Sequence, residues 1–195
     1  MTSLVLSALV LPVAAAEEST PNAVVDTFYG ALIGVMKQGG GLGFQGRYAR
    51  LEPVIDKTFN LDFMGRLAIG PQWSTLTPDQ KKRALDTFHR FTVSNYASQF
   101  KSFGGENFVV GRVVPTANQN VIVETRMILS KGDEIQFNYL MRNFDGNWQI
   151  IDVFLDGSIS EVARRRSEFT SVLSRDGIEG LVNLLERKIK TLGAG

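Results

Sequence analysis

The chain has 195 residues, of which 44% are hydrophobic and 21% charged, and its formal net charge is +1. This length and composition predict one globular domain, and a charge so close to zero gives no support for a broad nucleic-acid surface. Because the chain has no cysteine and a single histidine, disulfide scaffolds, thiol nucleophiles, zinc fingers and iron–sulfur sites are excluded, and we predict neither a metal nor a cofactor.

The first residues have the pattern of an export signal. The apolar stretch Leu4–Val13 is followed by the small residues Ala14–Ala16 and then by two glutamates. This stretch is much shorter than the roughly 20 residues that a membrane-spanning helix needs. We therefore predict a signal peptide at 1–16 and a mature domain at 17–195 outside the cytoplasm, although no Lys or Arg precedes the apolar stretch. The alternative is an uncleaved apolar anchor.

A predicted helix precedes the most glycine-rich segment of the chain. Thr20 and Pro21 are a favourable helix start, and apolar residues then recur at helical spacing as far as Met36. The following GLGFQG, Gly41–Gly46, has the letters of a dinucleotide-binding fingerprint. That fingerprint must follow a strand and open a helix, so its position after a helix argues against nucleotide binding. We predict a glycine connector over 39–46, with a mobile gate as the alternative.

The rest of the chain changes from helical to alternating periodicity and back. Thr77–Gln80 is a predicted capping box that begins a helix over 78–100. From about Glu106, four runs alternate apolar and polar residues, with the hairpin signal Asp145-Gly146 between the last two. A second possible capping box, Ser158–Glu161, begins the helical C-terminal part. This order predicts an α+β fold, in which N-terminal and C-terminal helices cover one antiparallel sheet of about four strands.

Few residues are candidates for chemistry. His89 is predicted to be a surface or hydrogen-bonded helix histidine, no pair of carboxylates stands out by its spacing, and we predict no catalytic residue. Asp152 lies in an otherwise apolar strand, and a buried carboxylate needs a partner. We predict a structural ion pair between Asp152 and Arg166, with Arg164 and Arg165 directed to solvent. The alternative is a solvated basic face.

Aromatic residues are concentrated in the predicted long helix and the predicted sheet. Periodicity does not distinguish a filled core from an apolar cavity of the kind that binds small molecules. From the residues alone, we predict an exported α+β domain without catalytic activity, and the binding of an apolar ligand stays open.

Three stretches have a more specific pattern. DVFLDGSISEVARRRSEF, 152–169, resembles the strand-to-helix signature of the MlaC/toluene-tolerance family of periplasmic lipid-binding proteins. The stretches 42–73 and 92–100, together with the GGENF that follows, resemble the hopanoid-biosynthesis-associated HpnM branch of that family. The resemblance extends over nearly the whole predicted mature domain.

The resemblance implies a periplasmic carrier that moves hopanoids or related lipids between the inner and outer membranes without catalysis. Its expected fold is a cone-like sheet with an apolar pocket between sheet and helices. Its expected partners are the lipid, an inner-membrane transporter of RND or ABC type and, transiently, the membranes. The alternatives are a phospholipid shuttle that feeds an ABC transporter, an isomerase- or hydratase-like enzyme that would use Asp152 and Tyr139, and a scaffold without a ligand.

The family architecture, combined with the apolar faces of the predicted elements, selects a set of pocket residues. Several of them are expected to be ordinary core. The predicted ligand-binding residues are Tyr29, Phe63, Met64, Leu67, Phe91, Tyr96, Phe100, Phe137, Tyr139 and Phe154.

Overall fold

The structure is a computed structural model that describes residues 19–194, so the predicted signal peptide at 1–16 lies outside the described residues. Helices, strands and a final helix follow one another along the chain, as predicted. The helices are α1 (Pro21–Lys37), α2 (Gly39–Thr58), α3 (Leu61–Ile69), α4 (Pro78–Gln99) and α5 (Glu161–Gly193), with 3₁₀ turns at Gly70–Thr75 and Ala117–Gln119. The strands are β1 (Asn107–Pro115), β2 (Val121–Ile128), β3 (Glu134–Phe144), β4 (Asn147–Leu155) and β5 (Ile159–Ser160).

The helices begin where the capping residues predict. The Thr20 hydroxyl accepts a hydrogen bond from the Ala23 amide at the start of α1. At the start of α4, Thr77 and Gln80 exchange both bonds of a capping box. Such bonds satisfy amides that have no partner within the helix. α5 begins two residues later than predicted, with Ser160 as its cap, because Ile159 and Ser160 pair with β4 instead.

The strands form one open antiparallel sheet in the order β1-β2-β3-β4-β5. It has five strands rather than about four, and the additional β5 has two residues. The predicted hairpin at Asp145-Gly146 joins β3 to β4, and both residues have positive φ, 51° and 90°, as a tight turn of this kind requires. Pairing of Phe137 with Leu155 and of Tyr139 with Val153 places these four side chains on one face of the sheet.

The glycine-rich segment is helical, so the predicted connector over 39–46 is wrong. α2 already begins at Gly39 and is interrupted at Gly43, where φ is 59° and ψ is −176°. A side chain at Gly39 would lie 1.9 Å from the Lys101 carbonyl oxygen, which explains why glycine stands there. The buried Arg47 donates to the carbonyl oxygens of Gly39 and Ala97 and thereby fastens α2 to the end of α4.

α5 is a helical hairpin rather than one straight helix. Glu168 and Lys188 form an ion pair, although a straight helix would hold two residues so far apart in sequence about 30 Å from each other. The chain reverses at Gly177, where φ is 64° and ψ is −165°. We call the two halves α5a (161–176) and α5b (178–193). α5b lies along α4, to which it is tied by an ion pair between Arg83 and Glu179.

The core lies between α1, α2 and the sheet and continues between α4 and the two halves of α5. Its largest fully buried side chains include Phe28, Leu51 and Ile150 in the first part and Phe169 and Leu185 in the second. In residues 19–194, no helix combines the length and the hydropathy that crossing a membrane requires.

Candidate functional site

A cavity of about 150 Å³ lies between the sheet, α4 and the start of α5a. Most of its lining is aromatic or aliphatic, and the remaining members are polar or charged and come from α4 and from the start of α5a. The lining residues are Phe59, Met64, Phe88, Phe91, Thr92, Asn95, Tyr96, Gln99, Phe100, Phe108, Phe137, Tyr139, Val153, Leu155, Glu161, Val162, Arg164 and Arg165.

The regular periodicities of the strands β3 and β4 and of the helix α4 produce the apolar wall. On β3 and β4, side chains that alternate along each strand bring Phe137, Tyr139, Val153 and Leu155 to the face that meets α4. On α4, lining residues recur every three or four positions from Phe88 to Phe100, which is one face of a helix. The apolar strand face and the apolar helix face do not interdigitate fully. The space between them is the cavity.

Charged side chains form the mouth of the cavity. Gln99 and Arg164 are the exposed members of the lining, so the cavity meets solvent beside them. The Glu161 carboxylate forms ion pairs with Arg164 at 2.7 Å and with Arg165 at 2.8 Å. The Arg165 guanidinium also lies 4.7 Å from the centre of the Phe91 ring, a distance at which a cation is attracted to an aromatic face. The mouth therefore carries one carboxylate and two guanidinium groups.

Tyrosine hydroxyls are the polar groups of the inner wall. Behind the cavity, the Tyr29 hydroxyl bonds to Thr125, which in turn donates to the Phe137 carbonyl oxygen. Burial raises the pKa of Tyr29 to about 12, and the bond to Thr125 offsets part of this effect. Burial likewise raises the pKa of Tyr96 and of Tyr139. All three tyrosines are therefore neutral at physiological pH, and each hydroxyl carries a hydrogen that it can donate.

The structure brings six of the ten sequence-predicted pocket residues to this cavity, from α3, α4 and β3. They are Met64, Phe91, Tyr96, Phe100, Phe137 and Tyr139.

The other four predicted pocket residues lie elsewhere. Tyr29 packs behind the wall, 4.4 Å from the centre of the Phe108 ring. Phe63 packs against Phe144, and Leu67 is 42% exposed on α3. Phe154 pairs with Asn138 and Ser160, on the face of the sheet opposite Tyr139. In each case helical or strand spacing alone does not say which neighbour covers an apolar side chain.

Other lining residues, some apolar and some charged, were not predicted from the sequence. The apolar ones include Phe59, Phe108, Val153 and Leu155. Strand alternation could have found Val153 and Leu155 once β4 was paired with β3 in register. The charged ones, Glu161 and the two arginines beside it, had no apolar signal, because they border the cavity at the beginning of a helix.

The predicted ion pair between Asp152 and Arg166 is not formed. Asp152 is buried and accepts hydrogen bonds from the Ser160 hydroxyl at 2.5 Å and from the amides of Val162 and Val153. It thus supports the start of α5a, where free amides favour a carboxylate. Burial raises the pKa of Asp152, and these three hydrogen bonds offset part of the effect.

The orientation of the three arginines also differs from the prediction. Arg165, expected in solvent, has a side chain only 13% exposed, whereas Arg166 is exposed. α4 packs on the Arg165 side of the helix and supplies Phe91. On the Arg166 side lies the narrow turn at Gly70, whose missing side chain leaves room for the guanidinium. The neighbours, rather than the helical periodicity, decide which arginine is buried.

The single histidine lies outside the cavity. His89 contacts Asp56 at 2.5 Å between its Nε2 and the carboxylate oxygen, and the pair joins α4 to α2. Within residues 19–194, no group of three or more His, Asp or Glu residues is arranged to hold a metal ion.

Comparison with known proteins agrees with this architecture. A phospholipid-binding protein from Ralstonia solanacearum, solved in complex with a phospholipid, has the same fold, with a TM-score of 0.78 and 20% sequence identity. The match covers 89% of this chain and 99% of that protein. Among curated proteins, none matches the sequence. The model of the MlaC protein family matches residues 27–187. The match includes all five strands and the cavity between them and the helices, and the chain belongs to the MlaC family.

Proposed function

We propose that this protein is a lipid carrier that holds the apolar part of a lipid in the cavity between α4 and the sheet. The observation that supports this most strongly is the division of the cavity into an aromatic inner wall and a charged mouth at Gln99 and Arg164. The aromatic wall suits the apolar tail of a lipid, and the charged mouth suits its polar head group. The family membership and the phospholipid-bound structural relative support the same function.

Transfer in this proposal needs no covalent chemistry. Removal of apolar surface from water stabilises the loaded carrier by roughly 25 cal/mol per Å². The cavity of about 150 Å³ is smaller than the roughly 300–1,000 Å³ of typical ligand pockets. Loading of a lipid tail in this proposal therefore widens the cavity, and the burial of apolar surface offsets the cost.

The cellular setting is a proposal of the same kind. The export pattern at 1–16 and the family resemblance support a periplasmic protein that exchanges lipid with an inner-membrane transporter of RND or ABC type and contacts membranes transiently. The resemblance of 42–73 to the HpnM branch favours hopanoids and transfer toward the outer membrane. The phospholipid-bound relative favours the phospholipid shuttle instead.

The enzyme alternative has less support from the geometry. Its two candidate groups, Asp152 and Tyr139, lie on opposite faces of the sheet, because Tyr139 pairs with Val153 and Asp152 pairs with Leu140. The Asp152 carboxylate is engaged at the start of α5a and does not line the cavity. A general acid or base must lie within hydrogen-bond reach of the reacting atom.

The decisive experiment identifies the bound lipid. We would purify the mature protein without detergent from a hopanoid-producing bacterium and analyse extracted lipids by mass spectrometry. Hopanoid in the extract would support the hopanoid carrier, and phospholipid alone would support the phospholipid shuttle. A folded protein without lipid would contradict both.

A pair of variants tests the location of the lipid. Phe137→Asp places a charge on the cavity wall and should abolish the co-purification of lipid. Val113→Asp is the matched control, because Val113 is 39% exposed on β1 and does not line the cavity. Circular dichroism would establish that both variants are folded. Equal lipid content in the two variants would place the lipid elsewhere.

A further inference from the structure

We propose that the cavity selects a lipid with a hydroxyl group on its buried apolar end, and that the Tyr96 hydroxyl binds this group. The inference rests on the proposed lipid-carrier function and names the class of lipid that the cavity would hold. Its starting point is a polar atom on the inner wall that the protein itself does not satisfy.

Tyr96 occupies the middle of the cavity face of α4. Its ring meets Phe28 edge-on at 5.1 Å between centroids and stacks with Phe100 at 5.9 Å. Within residues 19–194 the Tyr96 hydroxyl makes no hydrogen bond, and it is not sealed inside the protein either, because the residue lines the cavity. This hydroxyl is therefore an unpaired donor on a residue of the cavity wall.

The Tyr96 hydroxyl differs from the Tyr29 hydroxyl, which has a partner within the protein. A threonine hydroxyl has one hydrogen, which Thr125 donates to the Phe137 carbonyl oxygen. Tyr29 must then be the donor in its bond with Thr125. The Tyr29 and Thr125 hydroxyls behind the wall thus satisfy one another, whereas Tyr96 has its donor available for a ligand.

Among the groups that a lipid can carry, a hydroxyl suits the Tyr96 hydroxyl best. An aliphatic chain end against this hydroxyl would displace water without replacing its hydrogen bond, which lowers affinity. A hydroxyl can accept from Tyr96 and needs no counter-charge. An anionic group is disfavoured there, because burial and, to a smaller extent, the negative charge of Glu161 already raise the pKa of the Tyr96 hydroxyl. Sites built to hydrogen-bond a hydroxyl discriminate strongly against analogues that lack it.

Two fatty acids that differ by one hydroxyl provide the test. Hexadecanoic acid and 16-hydroxyhexadecanoic acid both offer a carboxylate to the mouth beside Arg164, and only the second carries a hydroxyl at its inner end. The quantity measured is the ratio of their dissociation constants, by calorimetry on lipid-free protein. We expect Tyr96→Phe to reduce the preference for the hydroxy acid about threefold to tenfold, the size of one hydrogen bond.

A matched control and a second measurement complete the design. Tyr48→Phe removes a tyrosine hydroxyl that bonds to Glu52 outside the cavity lining, and it should leave the preference unchanged. A crystal structure of the wild-type protein with the hydroxy acid should show its hydroxyl about 2.5–3.0 Å from the Tyr96 oxygen. This measurement needs no variant and stands even if Tyr96→Phe is poorly folded.

Each other outcome overturns the inference in a recognisable way. An equal loss of affinity for both acids in Tyr96→Phe would mean that a water molecule satisfies Tyr96, and no change would mean that the hydroxyl is not used. In both cases the lipid-carrier proposal would survive. Binding of neither acid by the wild-type protein, together with a lipid-free purified protein, would reject the carrier proposal as well.

Discussion

Two aromatic rings in contact, Phe28 of α1 and Tyr96 of α4, belong to very different regions of the molecule. Their centroids are 5.1 Å apart. Phe28 is fully buried, and the rings of Phe59 and Tyr139 cover its other sides. Tyr96 has Phe28 on one side and the cavity on the other. The contact between the two rings is thus a boundary between the filled core and the cavity wall.

Apolar residues of the same type thus stabilise the fold in one region and line the proposed binding cavity in the other. A core side chain has neighbours on all sides, so its removal leaves a new void and loses many contacts. A side chain on the cavity wall already borders empty space, so its removal costs less. Substitutions in the two regions should therefore separate stability from lipid binding.

The largest expected loss of stability comes from a substitution in the core, at Phe28. Phe28→Ala should lower the free energy of unfolding by about 3–5 kcal/mol, measured by urea denaturation. Phe137→Ala, on the half-buried cavity wall, should cost less than half as much and should mainly reduce lipid binding. Equal losses would show that the cavity wall is packed like the core.

The next effect concerns the hairpin that holds α5a against the cavity. Gly177 has backbone angles that only glycine adopts readily, and nothing lies within 4 Å of an added Cβ. Gly177→Ala should lower the free energy of unfolding by about 1–3 kcal/mol through backbone strain alone. The control is Gly34→Ala within α1, where an added Cβ also meets nothing and where alanine should stabilise the helix by about 0.5–1 kcal/mol. A neutral Gly177→Ala would argue against the chain reversal.

A smaller effect of opposite sign distinguishes the two faces of α4. On the core side, the Ser94 hydroxyl is fully buried and has no hydrogen-bond partner among the described residues. Ser94→Ala should raise the free energy of unfolding by about 1 kcal/mol, because a buried unpaired hydroxyl is costly. On the cavity side, Thr92 already donates to the Phe88 carbonyl oxygen. Thr92→Val should therefore give no such gain in the same denaturation experiment.

The smallest effect is a pH dependence behind the sheet, at Asp152. Because burial raises its pKa above the ordinary value of 3.8, the folded state holds this proton more tightly than the unfolded state does. The resulting contribution to stability is complete below pH 3.8 and is lost as the pH rises through the raised pKa. Relative to Asp152→Asn, the wild-type protein should lose stability between pH 4 and pH 7. The opposite slope, measured by denaturation at both pH values, would mean that the three hydrogen bonds dominate.

The predicted elements whose signals are local agree with the structure. The caps at Thr20 and Thr77 begin helices because they bond to amides three residues away. The turn at Asp145-Gly146 joins β3 and β4 because both residues tolerate positive φ. The α+β order of elements follows from these local signals and from periodicity. Of the predicted pocket residues, those on α4 and β3 line the cavity, because one helix face and one strand face meet there.

The predictions that failed depended on distant neighbours. Glycine composition suggested a connector at 39–46, but that segment is helical and its first residue packs against Lys101 and accepts a hydrogen bond from Arg47. The three consecutive arginines were assigned by helical spacing, yet α4 buries Arg165 and the turn at Gly70 leaves Arg166 exposed. Asp152 was expected to need a cation, but the amides at the start of α5a satisfy it.

The class of fold, the positions of most caps and turns, and the apolar faces were predictable from the sequence, because they depend on residues a few positions apart. Three features depend on how distant elements pack: the reversal of α5 at Gly177, the enclosure of Phe28 while Tyr96 borders a cavity, and the mouth of that cavity at Glu161 and Arg164. The physical reason is that an apolar side chain has the same periodicity whether its neighbour is another side chain or a space for a ligand.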